Sequence, residues 1–172
     1  MIHKLVHCDD KILHTPTNDF DFANPPTDPV QLVNDLIESL THYGGIGLAA
    51  PQVGLPYRVF VMWSQETLAC FNPKIIDQTT EEVLLDEGCL SYPNLLVPIK
   101  RPKSIKVRFT DPFGSTRTEK FTGMTARCFL HELDHLNGVD YTMRASRFHL
   151  ERAQRKQKIL SRQAKRIEQA AI

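Results

Sequence analysis

CFLHELDHLNG, Cys128 to Gly138, decides how the whole chain is read. Residues four apart share one face of an α-helix, so His131 and His135 can both aim a ring nitrogen at one ion. Glu132 sits beside the first histidine, close enough to reach a coordinated water but not placed as a third ligand. A metal, a water of lowered pKa and a carboxylate to take and return its proton make a hydrolytic set. The same spacing also arises by chance on helix surfaces. Cys128 one turn earlier and Gly138 just beyond make the face partly apolar and the end abrupt, which favours a built site. Two imidazoles do not complete it.

Outward from this helix the chain alternates in type. Upstream, DPVQLVNDLIESLTHYGG predicts a first helix: Asp28 as N-cap, Pro29 at the first helical position, Gln31 as capping-box partner, and Val33, Leu36, Ile37 and Leu40 as one apolar stripe before Gly44 and Gly45. The middle reads as strands at Tyr57–Trp63, Leu68–Ile76 and within EEVLLDEGCLSYP, then a hairpin of SIKVRFT and STRTEKF about the turn DPFG. Pro93, Pro98 and Pro102 suit an edge or an extended connection. From about Arg147 a long stretch without Pro or Gly predicts a tail helix. The expected class is α+β: antiparallel sheets around a central metal-binding helix, with helices at both ends. Residues 1–146 form the expected catalytic domain, with 147–172 a basic helix belonging to it.

The third ligand has several sources at this level. A third histidine at 141 would suit one protease pattern, but Tyr141 stands there. A downstream glutamate would suit another, and Glu151 lies in the basic tail. Upstream, DEGCLSYP offers Cys89, and one cysteine with two histidines leaves a position open for water. A lone cysteine is more often a core residue, as Cys8, Cys70 and Cys128 are read here. GGIGLAAPQVG, Gly44 to Gly54, is a small-residue turn that lets backbone approach a ligand closely, with Gln52 as an uncharged donor able to stabilise an oxyanion. It lacks the phosphate-loop lysine pattern.

The 172 residues, 41% hydrophobic and 24% charged, fit one globular domain with no apolar run of membrane-spanning length. The N-terminus has no secretory h-region, and Asp9 and Asp10 oppose a transit peptide, so the chain is expected to start near Met1 and stay in the cytoplasm. Four cysteines without paired spacing suit a reducing compartment. The net charge of +1 conceals an asymmetry, about +7 from Arg144 onward and −6 elsewhere. Such a tail suits a polyanionic partner, and equally a solvated helix face.

Three motifs together, GIGLAAPQ (45–52), EGCLS (87–91) and HELDHLNG (131–138), resemble in order and separation the signatures of the peptide deformylases, in their bacterial-type branch. The resemblance implies one metal ion per chain bound by Cys89, His131, His135 and a water. Fe(II) is the family's usual ion, with nickel, cobalt or zinc as substitutes. It implies that hydroxide on the metal attacks the formyl carbon of N-formylmethionine on nascent polypeptides, releasing formate. Glu132 is then the general acid/base, and Gln52 with the Leu90 N–H holds the oxyanion. Ile46, Gly47 and Gly88 pair with the extended substrate, and Glu87, Cys128 and His131 border the methionine pocket. The tail helix resembles those that dock on ribosomal RNA. Two rival classes are a zinc protease of internal peptide bonds, which lacks its usual third ligand here, and a non-enzymatic ribosome- or RNA-binding scaffold, which would not need both Cys89 and Glu132.

Overall fold

Asp28 Oδ1 accepts the N–H groups of Val30 (2.8 Å) and Gln31 (3.1 Å), and so starts helix α1, Pro29–Tyr43. The Gln31 side chain does not close a capping box; its Nε2 donates to Asp35 Oδ1 instead, at 2.8 Å. Gly44, at φ +67°, ends the helix in the left-handed conformation that glycine adopts freely. The computed structural model describes residues 1–170, with backbone alone at 165 and 167–170.

Among the described residues seven strands follow in chain order: β1 Gly47–Ala49, β2 Val59–Trp63, β3 Thr67–Gln78, β4 Glu82–Cys89, β5 Tyr92–Pro102, β6 Ser104–Thr110 and β7 Thr116–Thr122. They form a five-stranded antiparallel sheet, β1-β2-β3-β6-β7, and a separate β4–β5 pair. Helix α2, Gly123–Leu136, carries the histidines, and α3, Arg147–Ala170, closes the described chain. The α+β class and the central helix are as the sequence predicts. The last two residues expected in the tail helix, 171 and 172, lie outside the described residues.

Strand alternation explains how the sheet holds both helices. Val59 and Val61 face α1 and pack with Leu32, Leu36 and Leu40. Phe60 and Met62, the intervening residues, face α2 and pack with Ala126, Phe129 and Leu133. Phe129 sits edge-on to Phe60 at 5.1 Å and is fully buried, a position where truncation to alanine costs about 3–5 kcal/mol. The apolar stripe of α2 is thus spent on the sheet, and its polar stripe turns toward β4–β5.

That second sheet tolerates three prolines in β5 because β5 has one strand partner only, so its other edge needs no N–H donor. Leu95, Val97 and Ile99 of β5 pack with Tyr141, Leu150 and Ala153, which fixes the start of α3. The β4–β5 register shifts between Glu87↔Val97 and Cys89↔Tyr92, leaving Cys89 at an irregular, tightly turned end. The segment 44–54, read as a turn, is more ordered: it forms the short edge strand β1 and then a 3-10 helix, Ala50–Val53.

Candidate active site

Helix α2, strand β1 with its 3-10 helix, and the end of β4 converge on one cavity of about 350 Å³. Ile46, Gly47, Gln52, Glu87, Gly88, Cys89, Leu90, Cys128, His131 and Glu132 all line it. His135 is buried next to it, with Nε2 3.2 Å from Cys89 Sγ. Every residue singled out in the sequence is therefore brought to this place.

Donor atoms of Cys89, His131 and His135 lie within 4.8 Å of one another. The Nδ1 of His131 is engaged by Glu87 Oε2 at 3.1 Å, which leaves Nε2 as its free ring nitrogen. One sulfur and two imidazoles suit zinc, iron or a similar divalent ion. Burial would lower the pKa of His131, but the Cys89 sulfur and the Glu87 carboxylate outweigh it and raise it to about 10. Burial and the neighbouring His131 push His135 well below its usual range. The three residues fit a single divalent ion.

Glu132 is 3% exposed, and burial, with the Glu87 charge adding to it, raises its pKa to about 7 against the opposing pull of His131. Among the described residues its Oε2 has no hydrogen-bond partner, an orphan acceptor beside the ligand set that suits a water or a substrate. Gly47 passes directly over it. A Cβ on Gly47 would overlap Glu132 Oε1 and come within 2.9 Å of Cys128 Sγ, so only glycine admits the strand this close. Gln52 is aimed by its neighbours: the Ala49 N–H donates to Oε1 at 2.9 Å, and Nε2 points at Ser91 Oγ (3.2 Å) and Cys89 Sγ (3.4 Å).

Sequence reading missed the support behind this site. Arg101 forks onto both oxygens of Glu87, each at 2.9 Å, and donates to Asp134 at 2.6 Å. Arg127 adds a 2.5 Å bond to Glu87 and bonds the Ile99 carbonyl at 2.9 Å. Arg144 grips Asp134 from the far side, at 2.6 Å and 3.2 Å. Glu87, expected to border the substrate pocket, is held at a pKa of about 2, since Arg101 and His131 outweigh its burial. The signal in the sequence was Arg127 and Asp134 on the buried helix itself, charges that need partners when desolvated. Tyr141, where one protease pattern wants a histidine, is 1% exposed; its hydroxyl donates to the Leu95 carbonyl at 2.8 Å and its ring lies 5.4 Å from that of His131.

Comparison with known proteins agrees with this geometry. The family model for polypeptide deformylase matches residues 2–151. A peptide deformylase of Thermotoga neapolitana is 43% identical over 125 residues, covering 72% of this chain and 73% of that one. The crystal structure of a peptide deformylase from Synechococcus elongatus in complex with actinonin superposes with a TM-score of 0.83 at 31% identity, covering 91% of this chain and 86% of that one. That of Thermotoga maritima does so with a TM-score of 0.76 at 37% identity, covering 85% and 99%. A buried acid beside one sulfur and two imidazoles, on this fold and in this sequence company, places the chain in the peptide deformylase family.

Proposed function

We propose that Glu132, Gln52 and the backbone of Leu90 do the chemistry by which this chain removes the formyl group from N-terminal formylmethionine. The metal would be held by Cys89, His131 and His135; Fe(II) is the ion we assign in the cell, with zinc, nickel or cobalt as substitutes. When bound, it supplies Lewis acidity and makes water a nucleophile at neutral pH.

Glu132 takes the proton as water oxygen bonds to the formyl carbon. The carbonyl oxygen gains negative charge, and the Gln52 Nε2 and Leu90 N–H donate to it. Glu132 then returns the proton to the methionine nitrogen as the C–N bond breaks, giving formate and a free amine. A pKa near 7 suits a group that must both accept and give back a proton. Ile46, Gly47 and Gly88 pair with the extended peptide, and Cys128 and His131 wall the methionine pocket. Glu87 contributes its wall position while its charge stays on the arginines.

The observation that carries this reading is the orphaned Glu132 Oε2 at a cavity where Cys89, His131 and His135 converge. Residues 1–146 form the catalytic unit and α3 remains part of it, supported by Leu150 and Ala153 packed on β5. The reaction takes place in the cytoplasm, where formylated nascent chains emerge. The exposed Arg152, Arg155, Lys156 and Lys158 of α3 support contact with ribosomal RNA.

Formate release from a short formyl-Met peptide, with metal quantified in the same anaerobically purified sample, tests the assignment. Loss of formate on Glu132→Ala with metal retained supports the role given to Glu132. Full activity in that variant refutes it. Glutamine at Arg152, Arg155, Lys156 and Lys158 together should weaken ribosome binding in a salt-dependent way, and unchanged binding refutes that part alone.

A further inference from the structure

The β6–β7 hairpin turns Val107, Phe109 and Phe121 to the core and its other face to solvent. On the solvent face stand the exposed cations Lys106, Arg108 and Lys120, and every other outward position of the two strands is a serine or threonine. Lys106 lies directly opposite Lys120, and on the next strand Lys74 lies directly opposite Arg108. Like charges placed opposite one another destabilise a sheet, although Asp77 also stands opposite Lys106 on this face.

Among the described residues the nearby acids form no ion pair with Lys106, Arg108 or Lys120. Asp77, opposite Lys106, accepts the Gln78 N–H at 2.8 Å; Asp19 lies 3.9 Å from Lys74 and also pairs with Arg58. Asp111 accepts the N–H groups of Phe113 and Ser115 in the hairpin turn. Among the described residues, Lys106, Arg108 and Lys120 have no ion-pair partner. This cationic patch sits on a body whose net charge outside the tail is about −6.

At the tip of the same hairpin Phe113 is 82% exposed. Cations spaced roughly 7 Å along a strand, hydroxyl donors between them and a bare aromatic ring at one end match the parts of a single-stranded nucleic acid. Lysine, arginine, serine and threonine are the usual phosphate partners, and an aromatic ring stacks any base. An acidic polypeptide would engage the cations and leave Phe113 without a function.

We propose that the outer face of the β6–β7 hairpin binds single-stranded RNA without sequence preference, phosphates on Lys106, Arg108 and Lys120 and a base on Phe113. This contact is separate from α3 and from the deformylation cavity.

Anisotropy of a labelled oligouridine with the full chain, over a range of salt, tests it. Replacing Lys106, Arg108 and Lys120 together by glutamine should lower the salt slope of log K by about 2, roughly 0.7 per lost phosphate contact. Phe113→Ala should cut affinity about tenfold while leaving that slope unchanged. Both variants should keep wild-type turnover of a formyl-Met peptide, so a failure here is distinct from a failure of the deformylase reading. The thermal midpoint of the triple variant should be no lower than wild type, since like-charge pairs are relieved. No RNA binding by the wild type, or an unchanged slope in the triple variant, overturns the proposal. So does displacement of the RNA by polyglutamate as readily as by unlabelled RNA, which would make the partner an acidic polypeptide.

Discussion

Glu87 Oε2 lies 3.1 Å from His131 Nδ1, so one carboxylate on β4 orients a histidine of α2 that sits 44 residues away in the chain. The same carboxylate neutralises Arg101 and Arg127, all three side chains being 5% exposed or less. Glu87→Gln keeps the shape and removes the charge. Arg127 then lacks its counter-ion and Arg101 keeps only Asp134, which costs about 3–5 kcal/mol, and His131 loses the charged partner that fixes its tautomer. Metal affinity should fall roughly 10–100-fold. Denaturant unfolding and competition with a chelator measure the two effects separately, and unchanged values in both would remove Glu87 from its supporting role.

Arg101 and Arg144 share Asp134 but should differ in weight. Arg101 is buried and joins Asp134 to Glu87, whereas the Arg144 side chain is 49% exposed and reaches Asp134 alone. Arg101→Met leaves Glu87 to Arg127 and Asp134 to the half-exposed Arg144 alone, and should destabilise by up to about 3 kcal/mol. Arg144→Met leaves Asp134 paired to Arg101 and should cost about 1 kcal/mol or less. Equal losses on unfolding of the two variants would contradict this ordering.

Gly47→Ala tests how tightly β1 covers the acid. The added methyl overlaps Glu132 Oε1 and presses on Cys128 Sγ, so the carboxylate must move. A displacement of about 1 Å at a proton-transfer group costs on the order of 100-fold in rate. Formate release should drop by that order while metal content stays at wild-type level. A variant with normal kcat/KM would mean that the strand yields and Glu132 does not.

Much of this architecture was legible because its signals are local. Asp28 and Pro29 announce α1, DPFG announces the β6–β7 hairpin, and the histidine spacing places two donors on one helical face. Long-range polar pairing carries no such signature. Arg101 finds Glu87 and Asp134 across 14 and 33 residues, and Arg127 finds Glu87 across 40. Only the fold brings them together. The three prolines of β5 likewise obscured an 11-residue strand, because having a single strand partner, which makes them harmless, is a property of the sheet and not of the segment. The capping box at Gln31 failed for a different reason: its Nε2 donates to Asp35, one turn on, which draws the side chain forward along the helix and away from the N-cap.

Cys89 is the donor whose assignment a spectrum can test without turnover. Its sulfur lies 3.2 Å from His135 Nε2 and within 3.4 Å of the Gln52 amide, at the irregular end of β4. Cobalt-loaded protein should show a sulfur-to-cobalt charge-transfer band in the near ultraviolet, because a coordinating thiol is deprotonated outright. Cys89→Ser should abolish the band, whereas Cys8→Ser and Cys70→Ser should leave it intact, Cys70 being fully buried between sheet and helix. Stripping the metal should lower the thermal midpoint of the wild type, since an ion that binds only the folded chain stabilises it by mass action. Cys89→Ser should show a smaller shift on stripping, because it holds the ion more weakly. A charge-transfer band that survives Cys89→Ser would move the sulfur ligand elsewhere and undo the ligand set on which the catalytic roles of Glu132 and Gln52 depend.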